Sequence, residues 1–240
     1  MTIARFYLKD LAPSGGRVTL EKEEHHHASR VLRLRTGQEV MLLDGRGTVC
    51  RACVVAVDRQ RTYVEIVEGR HEQEEKPRLL LYQALLKEAK MGEMVQRSVE
   101  LGVAGVIPFI SRRSLAACEQ RRWERWNRIA YEASRVAGRA YLPFVGEPLS
   151  WEGLITSLPG REMVLYADEK GGARPAAVLG DAAREEIAMV IGPEGGFTEG
   201  ERSALREAGA VSVTLGPYNL RAESAGAVLA SAVRAHFGLL

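Results

Sequence analysis

Two stretches near the C-terminus couple an apolar run to glycine and proline. Ile191-Gly192-Pro193-Glu194-Gly195-Gly196-Phe197 follows Ile187–Val190, and Leu215-Gly216-Pro217-Tyr218-Asn219-Leu220-Arg221 follows Val211–Thr214. If those runs are strands of an open α/β sheet, the loops stand beyond strand carboxyl ends, where such sheets bind ligands. Glycine there lets a ligand approach the main chain and leaves N–H and C=O groups unhindered. Two such loops on neighbouring strands would make one pocket, able to read an adenine edge through backbone groups. The plain alternative is a pair of strand-to-helix turns. Neither loop is a phosphate cradle, because the chain holds no G-x-x-x-x-G-K-[ST] and no G-x-G-x-x-G after a strand. That argues against an ATPase, a Rossmann dehydrogenase and the commonest Rossmann-like methyltransferases.

Arg221 and Glu223 close the second loop, where the last helix should begin. A carboxylate suits a helix N-terminus and a cation does not, so Glu223 is at home while Arg221 points to a partner carboxylate or a bound anion. Cys50 and Cys53 form a C-x-x-C without a second pair. Zinc needs four ligands, and strand positions three apart face opposite ways. His25-His26-His27 falls in a predicted helix, where consecutive side chains splay by about 100°. No metal site is therefore expected. G-x-S-x-G and H-E-x-x-H are both missing, which removes two hydrolase signatures. The basic residues suited to RNA are Arg5, Arg30, Arg33, Lys87 and Lys90. Arg30 and Arg33 share one helix face at i,i+3; the bland reading of each is a solvated charge.

The first 70 residues supply short β-prone runs at Arg5–Leu8, Arg17–Leu20, Glu39–Leu43, Thr48–Val57 and Thr62–Val67. Turn signals separate them at Pro13–Gly16 and Asp44-Gly45-Arg46-Gly47. One helix is predicted over Glu21–Arg35, stopped by Thr36-Gly37. Short strands with one helix suggest a small barrel. The polar run His71–Lys76 before Pro77 marks a boundary between domains at 1–72 and 77–240. Beyond it, predicted strands (Leu79–Ala84, Gly105–Ile110, Met163–Ala167, Ile187–Ile191, Val211–Leu215) alternate with helices (Lys87–Leu101, Arg122–Ala137, Thr198–Ala208, Glu223–Phe237). Thr198 and Glu201 have capping-box spacing. Alternation of this kind predicts an α/β domain with a largely parallel sheet.

Composition sets the frame. The chain has 240 residues, 27% charged and 46% hydrophobic, ordinary for a globular protein with a buried core. Net charge is +2, too small to announce a nucleic-acid binder. Residues 1–70 carry 12 Lys+Arg against 9 Asp+Glu, and residues 71–240 carry 21 against 22. The basic excess thus sits in the N-terminal part. No run approaches the roughly 20 apolar residues of a membrane helix. MTIARFYLKDLAP lacks an apolar signal core, and three cysteines close no disulfide framework. A cytoplasmic protein without membrane contact is expected.

Together these residues resemble the RsmE-type 16S ribosomal RNA (uracil-N3)-methyltransferases of the SPOUT superfamily. The matching pieces span almost the whole chain. They are Arg5-Phe6-Tyr7; His26 with Val31-Leu32-Arg33; Gln83–Lys90; Gln96–Val103; Glu132–Arg135 with Pro143; Ile191–Phe197; and Leu215–Pro217 with Leu220-Arg221. The family's usual last segment is L-G-P-R-I-L-R-T-E-T-A. Here it reads LGPYNLRAESA, with Tyr218 and Asn219 for an Arg and an aliphatic residue, and Ala222 and Ser224 for two threonines.

The resemblance implies a PUA-like β-barrel that helps bind RNA, followed by a SPOUT-type α/β domain with a parallel sheet tied in a C-terminal trefoil knot. It implies a homodimer that uses S-adenosylmethionine to methylate N3 of a decoding-region uridine in 16S rRNA, within the small ribosomal subunit, with no metal. The cofactor contacts it implies are Leu165, Ala167, Ile191, Gly192, Pro193, Glu194, Gly195, Gly196, Leu215, Gly216, Asn219, Leu220 and Ser224. N3 is a poor nucleophile until its proton leaves, so a base or an anion-stabilising cation is needed. Arg221 is the expected cation, Arg5 a second contact to target base or phosphate, and Glu223 a weak candidate base. The rival from another class is a non-catalytic RNA-binding or ribosome-assembly protein with a degenerate SPOUT domain, supported only by the altered LGPYNLRAESA segment.

Overall fold

The computed structural model describes residues 3–114 and 120–240. Cys118 and the first two residues of the N-terminal stretch lie outside them. The chain falls into two compact units. One is the chain up to Glu74 together with Arg135–Leu142, and the other is Glu75–Ser134 together with Pro143–Leu240.

In the first unit β1 (Ala4–Tyr7), β2 (Gly16–Leu20), β3 (Glu39–Leu43), β4 (Thr48–Val57) and β5 (Thr62–His71) form one sheet in the order β1-β3-β4-β5-β2. Only the β1–β3 pair is parallel. Phe6 from one edge strand and Leu20 from the other enter the same core, with Val40, Leu42, Cys50, Ala52, Val54 and Val64 between them. A flat sheet cannot bring its two edges to one core, so this sheet is rolled. Register shifts in β4, at Arg51/Ala52 and Val54/Ala56, supply local curvature. The β3–β4 turn is set by Asp44, whose Oδ1 accepts from the N–H groups of Arg46 (2.7 Å) and Thr48 (2.9 Å). Cys50 faces the core and Cys53 does not, as strand alternation requires.

Two expectations for this unit change. The helix is shorter than Glu21–Arg35: α1 covers Lys22–His26, a π-helical turn covers His27–Val31, and Arg33 takes a left-handed φ of 53°. The unwinding removes the shared helix face expected of Arg30 and Arg33. Residues 135–142, read from sequence as part of the second domain, belong here. The Tyr7 hydroxyl donates to the Arg139 carbonyl (2.6 Å) and the Tyr141 hydroxyl to that of Glu72 (3.0 Å). Such long-range bonds leave no periodic trace in a sequence.

The second unit alternates strand and helix: β6 (Arg78–Ala84), α2 (Glu88–Glu100), β7 (Gly105–Phe109), α3 (Gln120–Ala137, its last turn in the first unit), β8 (Phe144–Val145), α4 (Trp151–Ser157), β9 (Val164–Ala167), α5 (Pro175–Leu179), β10 (Glu186–Ile191), α6 (Glu199–Glu207), β11 (Val211–Val213) and α7 (Ala222–His236). β8, α4 and α5 are too short to show a period in the sequence, and sequence reading missed them. The six strands run parallel in the order β11-β9-β10-β6-β7-β8. Both faces are covered. Leu79, Leu81, Ile187 and Met189 pack with α2, α3, α5 and α7 on one side. Leu80, Tyr82, Ala188 and Val190 pack with α4 and α6 on the other. That explains the near-continuous apolar runs of β6 and β10, since a parallel sheet buries both faces. Each fully buried aliphatic side chain contributes about 1.5–3 kcal/mol. No helix among the described residues is long and apolar enough to cross a membrane.

Candidate active site

Because all six strands point the same way, the loops after β9, β10 and β11 emerge at one edge of the sheet. There they enclose a cavity of about 390 Å³, within the size range of small-molecule sites. The two glycine-proline loops both line it, but not on adjacent strands as expected: β9 lies between β10 and β11. Its own trailing residues, Ala167, Asp168 and Glu169, complete the wall. The same strand-end rule that picked out the two loops would have found Asp168 and Glu169.

The β10 loop is braced on several sides. Gly192 and Pro193 are buried, and a Cβ on Gly192 would press on the Phe197 ring at 3.1 Å. The Gly196 N–H donates to the Pro193 carbonyl at 2.9 Å, closing a tight turn with Gly196 at φ 64°. Arg113 Nη1 donates to the Gly195 carbonyl at 2.5 Å. The capping box expected from sequence forms: the Thr198 N–H donates to Glu201 Oε2 (2.8 Å) and the Glu201 N–H to Thr198 Oγ1 (3.2 Å). One turn into α6, Arg202 Nε donates to both oxygens of Asp168, at 3.0 and 2.9 Å. Both partners are buried, so this bridge fastens the end of β9 to the helix that follows the β10 loop.

The β11 loop is different. Residues 216–221 are all exposed, Tyr218 to 84%, and Gly216 sits at φ 123°. Arg221 is the residue before α7, its side chain 82% exposed, with Nη1 3.9 Å from Glu223 Oε1. Glu223 itself is buried to 8% exposure. Burial alone would raise its pKa. Its own backbone N–H and the charges of Lys90 and Arg221 outweigh that and hold the carboxyl below its ordinary value. A carboxylate held ionised in this way is a poor proton acceptor. Glu223 stands within ion-pair distance of both Lys90 (3.4 Å) and Arg221 (3.9 Å).

The other sequence-derived residues divide by position. Ala167, Ile191, Gly192, Pro193, Glu194, Gly196, Leu215, Gly216, Asn219, Leu220, Arg221 and Glu223 all line the cavity. Leu165, Gly195 and Ser224 do not. Leu165 is buried in the core beneath the sheet, the Gly195 carbonyl is taken by Arg113, and Ser224 lies inside α7. Lys90, expected at RNA, lines the cavity with Nζ 3.4 Å from both Glu194 and Glu223, so its charge is engaged by protein. Lys87 is exposed at the start of α2 and is not part of the lining. Arg5 belongs to the first unit, where Nη1 donates to the Val136 carbonyl at 2.8 Å. Arg30 and Arg33 are exposed in that unit. Phe197, Tyr218 and Ala222, named in the sequence without a site role, also line the cavity, and Asp168, Glu169, Thr214 and Ala225 complete the lining without having been singled out as site residues.

The charges at the cavity have a sign. Lys90 and Arg221 face Asp168, Glu169, Glu194 and Glu223, and Arg202 neutralises Asp168 from behind. The formal balance of these seven groups is −1, which suits a ligand with net positive charge. No group of three or more His, Cys, Asp or Glu positioned for a metal ion occurs among the described residues.

An RNA methyltransferase domain model matches residues 73–234, and an RNA methyltransferase PUA domain model matches residues 20–67. The chain is 33% identical over 224 residues to the ribosomal RNA small subunit methyltransferase E of Synechocystis sp., covering 91% of this chain and 73% of that one. It is 32% identical to the protein of that name from Aquifex aeolicus, covering 88% and 91%. The crystal structure of ribosomal RNA small subunit methyltransferase E from Neisseria gonorrhoeae bound to S-adenosyl methionine superposes with a TM-score of 0.87 at 29% identity, over 98% of each chain.

Proposed function

Since the chain belongs to the RNA methyltransferase family, with its PUA domain ahead of the methyltransferase domain, we propose that its cavity methylates small-subunit rRNA at N3 of a uridine. The activity is S-adenosylmethionine-dependent rRNA methylation. The observation that carries the reading is a cavity walled by three strand-end loops, with the Arg221 guanidinium exposed at its rim and a net negative lining.

Bound S-adenosylmethionine supplies an electrophilic methyl carbon on a sulfonium. Its net positive charge suits the −1 balance of the cavity, and the glycine-bearing main chain of both loops suits the adenine edge. The rest falls to this chain's residues. Holding donor and base in line supplies much of the rate, because effective molarities of oriented reactants are large. Arg221 stabilises the negative charge that builds on the uracil oxygens as the N3 proton departs to solvent water. Glu223 and Lys90 fix the N-terminus of α7, and so the position of Arg221. A uridine in structured RNA is splayed out to reach such a cavity. Arg5, Arg30, Arg33 and Lys87 contact the RNA backbone in this reading; the basic excess of residues 1–70 supports it.

The same reading takes the small ribosomal subunit as substrate, the homodimer as the working form, and the cytoplasm as the compartment. It also takes the chain as knotted at its C-terminus: the order β11-β9-β10-β6, in which β10 enters between two strands placed earlier, supports that threading. Calorimetry with S-adenosylmethionine and mass mapping of uridine methylation in small-subunit rRNA, from cells with and without the gene, test the proposal. Absence of cofactor binding, or an unchanged methylation map, overturns it.

A further inference from the structure

Two aromatic rings line the cavity among the described residues, Phe197 and Tyr218. Phe197 is buried, and its ring packs against those of Trp151 and Tyr166, with centroids 6.3 and 6.1 Å away. That ring belongs to the core. Tyr218 is the opposite case. It is 84% exposed and makes no hydrogen bond, ion pair or ring contact among the described residues. A side chain that buries so little area adds little to folding. What it holds out is an aromatic face with a polar tip. Leu220 and Arg221, both exposed, stand two and three residues further along the same loop and line the same cavity. The family's usual segment has an Arg where this chain has Tyr218, so the ring is a feature of this sequence and not of the loop in general.

The geometry of methyl transfer gives such a face a use. Once N3 of uracil has lost its proton, its lone pair lies in the plane of the ring. The donor methyl must therefore approach the base along its edge, and a guanidinium that reaches the uracil oxygens lies in that same plane. Edge contacts leave both faces of the base bare and its tilt unset. A small tilt spoils the in-line approach on which the rate depends. A base drawn out of structured RNA has also lost the neighbours it stacked on. An aromatic ring beside the cation supplies a new stacking surface and a plane that sets the tilt. Tyr218 and Arg221 stand in that relation, a ring and a guanidinium on one exposed loop.

We propose that Tyr218 stacks on the face of the target uracil while Arg221 holds its edge, so that the loop after β11 grips the base to be methylated. The assignment rests on the cavity being the methyl-transfer site. The test compares the full chain with Tyr218→Ala, Tyr218→Leu, which keeps apolar bulk without a π face, and Tyr218→Phe, which keeps the ring. Single-turnover transfer is measured with protein and S-adenosylmethionine saturating over small ribosomal subunits from cells lacking the gene, and affinity for S-adenosylhomocysteine by calorimetry. Stacking on the reacting base predicts a rate about five- to hundredfold lower in Tyr218→Ala and Tyr218→Leu, most of it restored in Tyr218→Phe, with cofactor affinity at the wild-type value throughout. An equal loss of cofactor affinity overturns the assignment, because the ring then covers the cofactor. So does a loss confined to KM for the subunit, because the ring then grips RNA away from the reacting base. Tyr218→Phe as slow as Tyr218→Ala makes the hydroxyl the working group, and Tyr218→Leu as fast as wild type makes it bulk alone; either result overturns stacking, as does no loss in any variant. A wild-type chain that binds cofactor but methylates no uridine, or binds none, brings down the proposed function and this assignment with it. The side chain is exposed, so all three variants should keep the wild-type thermal midpoint.

Discussion

The two glycine-proline loops look alike in sequence and are built for opposite purposes. The loop after β10 is half buried, closed by its own turn, held at Gly195 by Arg113, and followed at once by a capped helix whose Arg202 reaches back to the end of β9. The loop after β11 exposes every residue from 216 to 221, and its internal bond, from Thr214 Oγ1 to the Gly216 carbonyl, is long at 3.3 Å. One wall of the cavity is preorganised and the other is a rim. A cofactor that must be presented in one geometry suits the first, and an RNA base that must enter and leave suits the second.

The sharpest way to break this contrast is to unfasten the braced wall. Asp168→Ala takes from the buried Arg202 its hydrogen-bonded carboxylate, leaving only the longer approaches of Glu169 and Glu199, and should cost about 3–5 kcal/mol of folding stability by chemical denaturation. An unchanged midpoint and slope would mean that the bridge braces nothing. On the rim, Arg221→Ala should lower methyl transfer to small-subunit rRNA about 10²–10³-fold, as removal of one charge-stabilising donor does, while calorimetric affinity for S-adenosylmethionine stays near wild type. Equal losses in both would move Arg221 from the substrate side to the cofactor side.

Two glycines sharpen the distinction. Gly196→Ala and Gly216→Ala both force alanine into a left-handed φ, worth about 1–2 kcal/mol each. Only the first adds a collision, with the Glu169 carboxylate; the second meets nothing within 4 Å. Cofactor affinity should therefore fall further in Gly196→Ala than in Gly216→Ala. Thr198→Ala removes the cap of α6 and should cost about 1 kcal/mol, read as a lowered thermal midpoint.

The smallest effect is expected from pH. The Glu223 carboxyl is held below its ordinary value near 4.5, so the folded state binds its proton less readily than the unfolded chain does. The stability this group adds is fully present above that value and is lost as pH falls through the lower folded value. Glu223→Gln should remove that part of the acid-side loss in a denaturation series against pH. A pH profile identical to wild type would show that Glu223 anchors neither Lys90 nor Arg221.

Much of the site was legible because its chemistry is local. The strand–Gly-Pro pattern, the Thr198–Glu201 cap and the placement of Arg221 before a helix are each written within a few consecutive residues, and each occurs in the structure. The periodic elements were legible for the same reason, with β3 and β4 ending where their apolar runs end. The failures share the opposite cause. The early end of the first helix depends on a π-helical turn and a left-handed Arg33, which no period of 3.6 announces. The transfer of residues 135–142 to the first unit depends on bonds from Tyr7 and to Glu72, more than sixty residues away.

The amino-acid order by itself determined which segments could form strands, which loops carried backbone-accessible glycines, and which cation stood where a helix dipole would not want it. Tertiary structure alone decided that β9 comes between β10 and β11, and so that the residues after β9 stand between the two glycine-proline loops. It alone turned Lys90 from a surface charge into the partner of Glu194 and Glu223. Strand order and burial set these outcomes. They arise from packing both faces of one sheet at once, a condition on the whole chain that no short window of it can express.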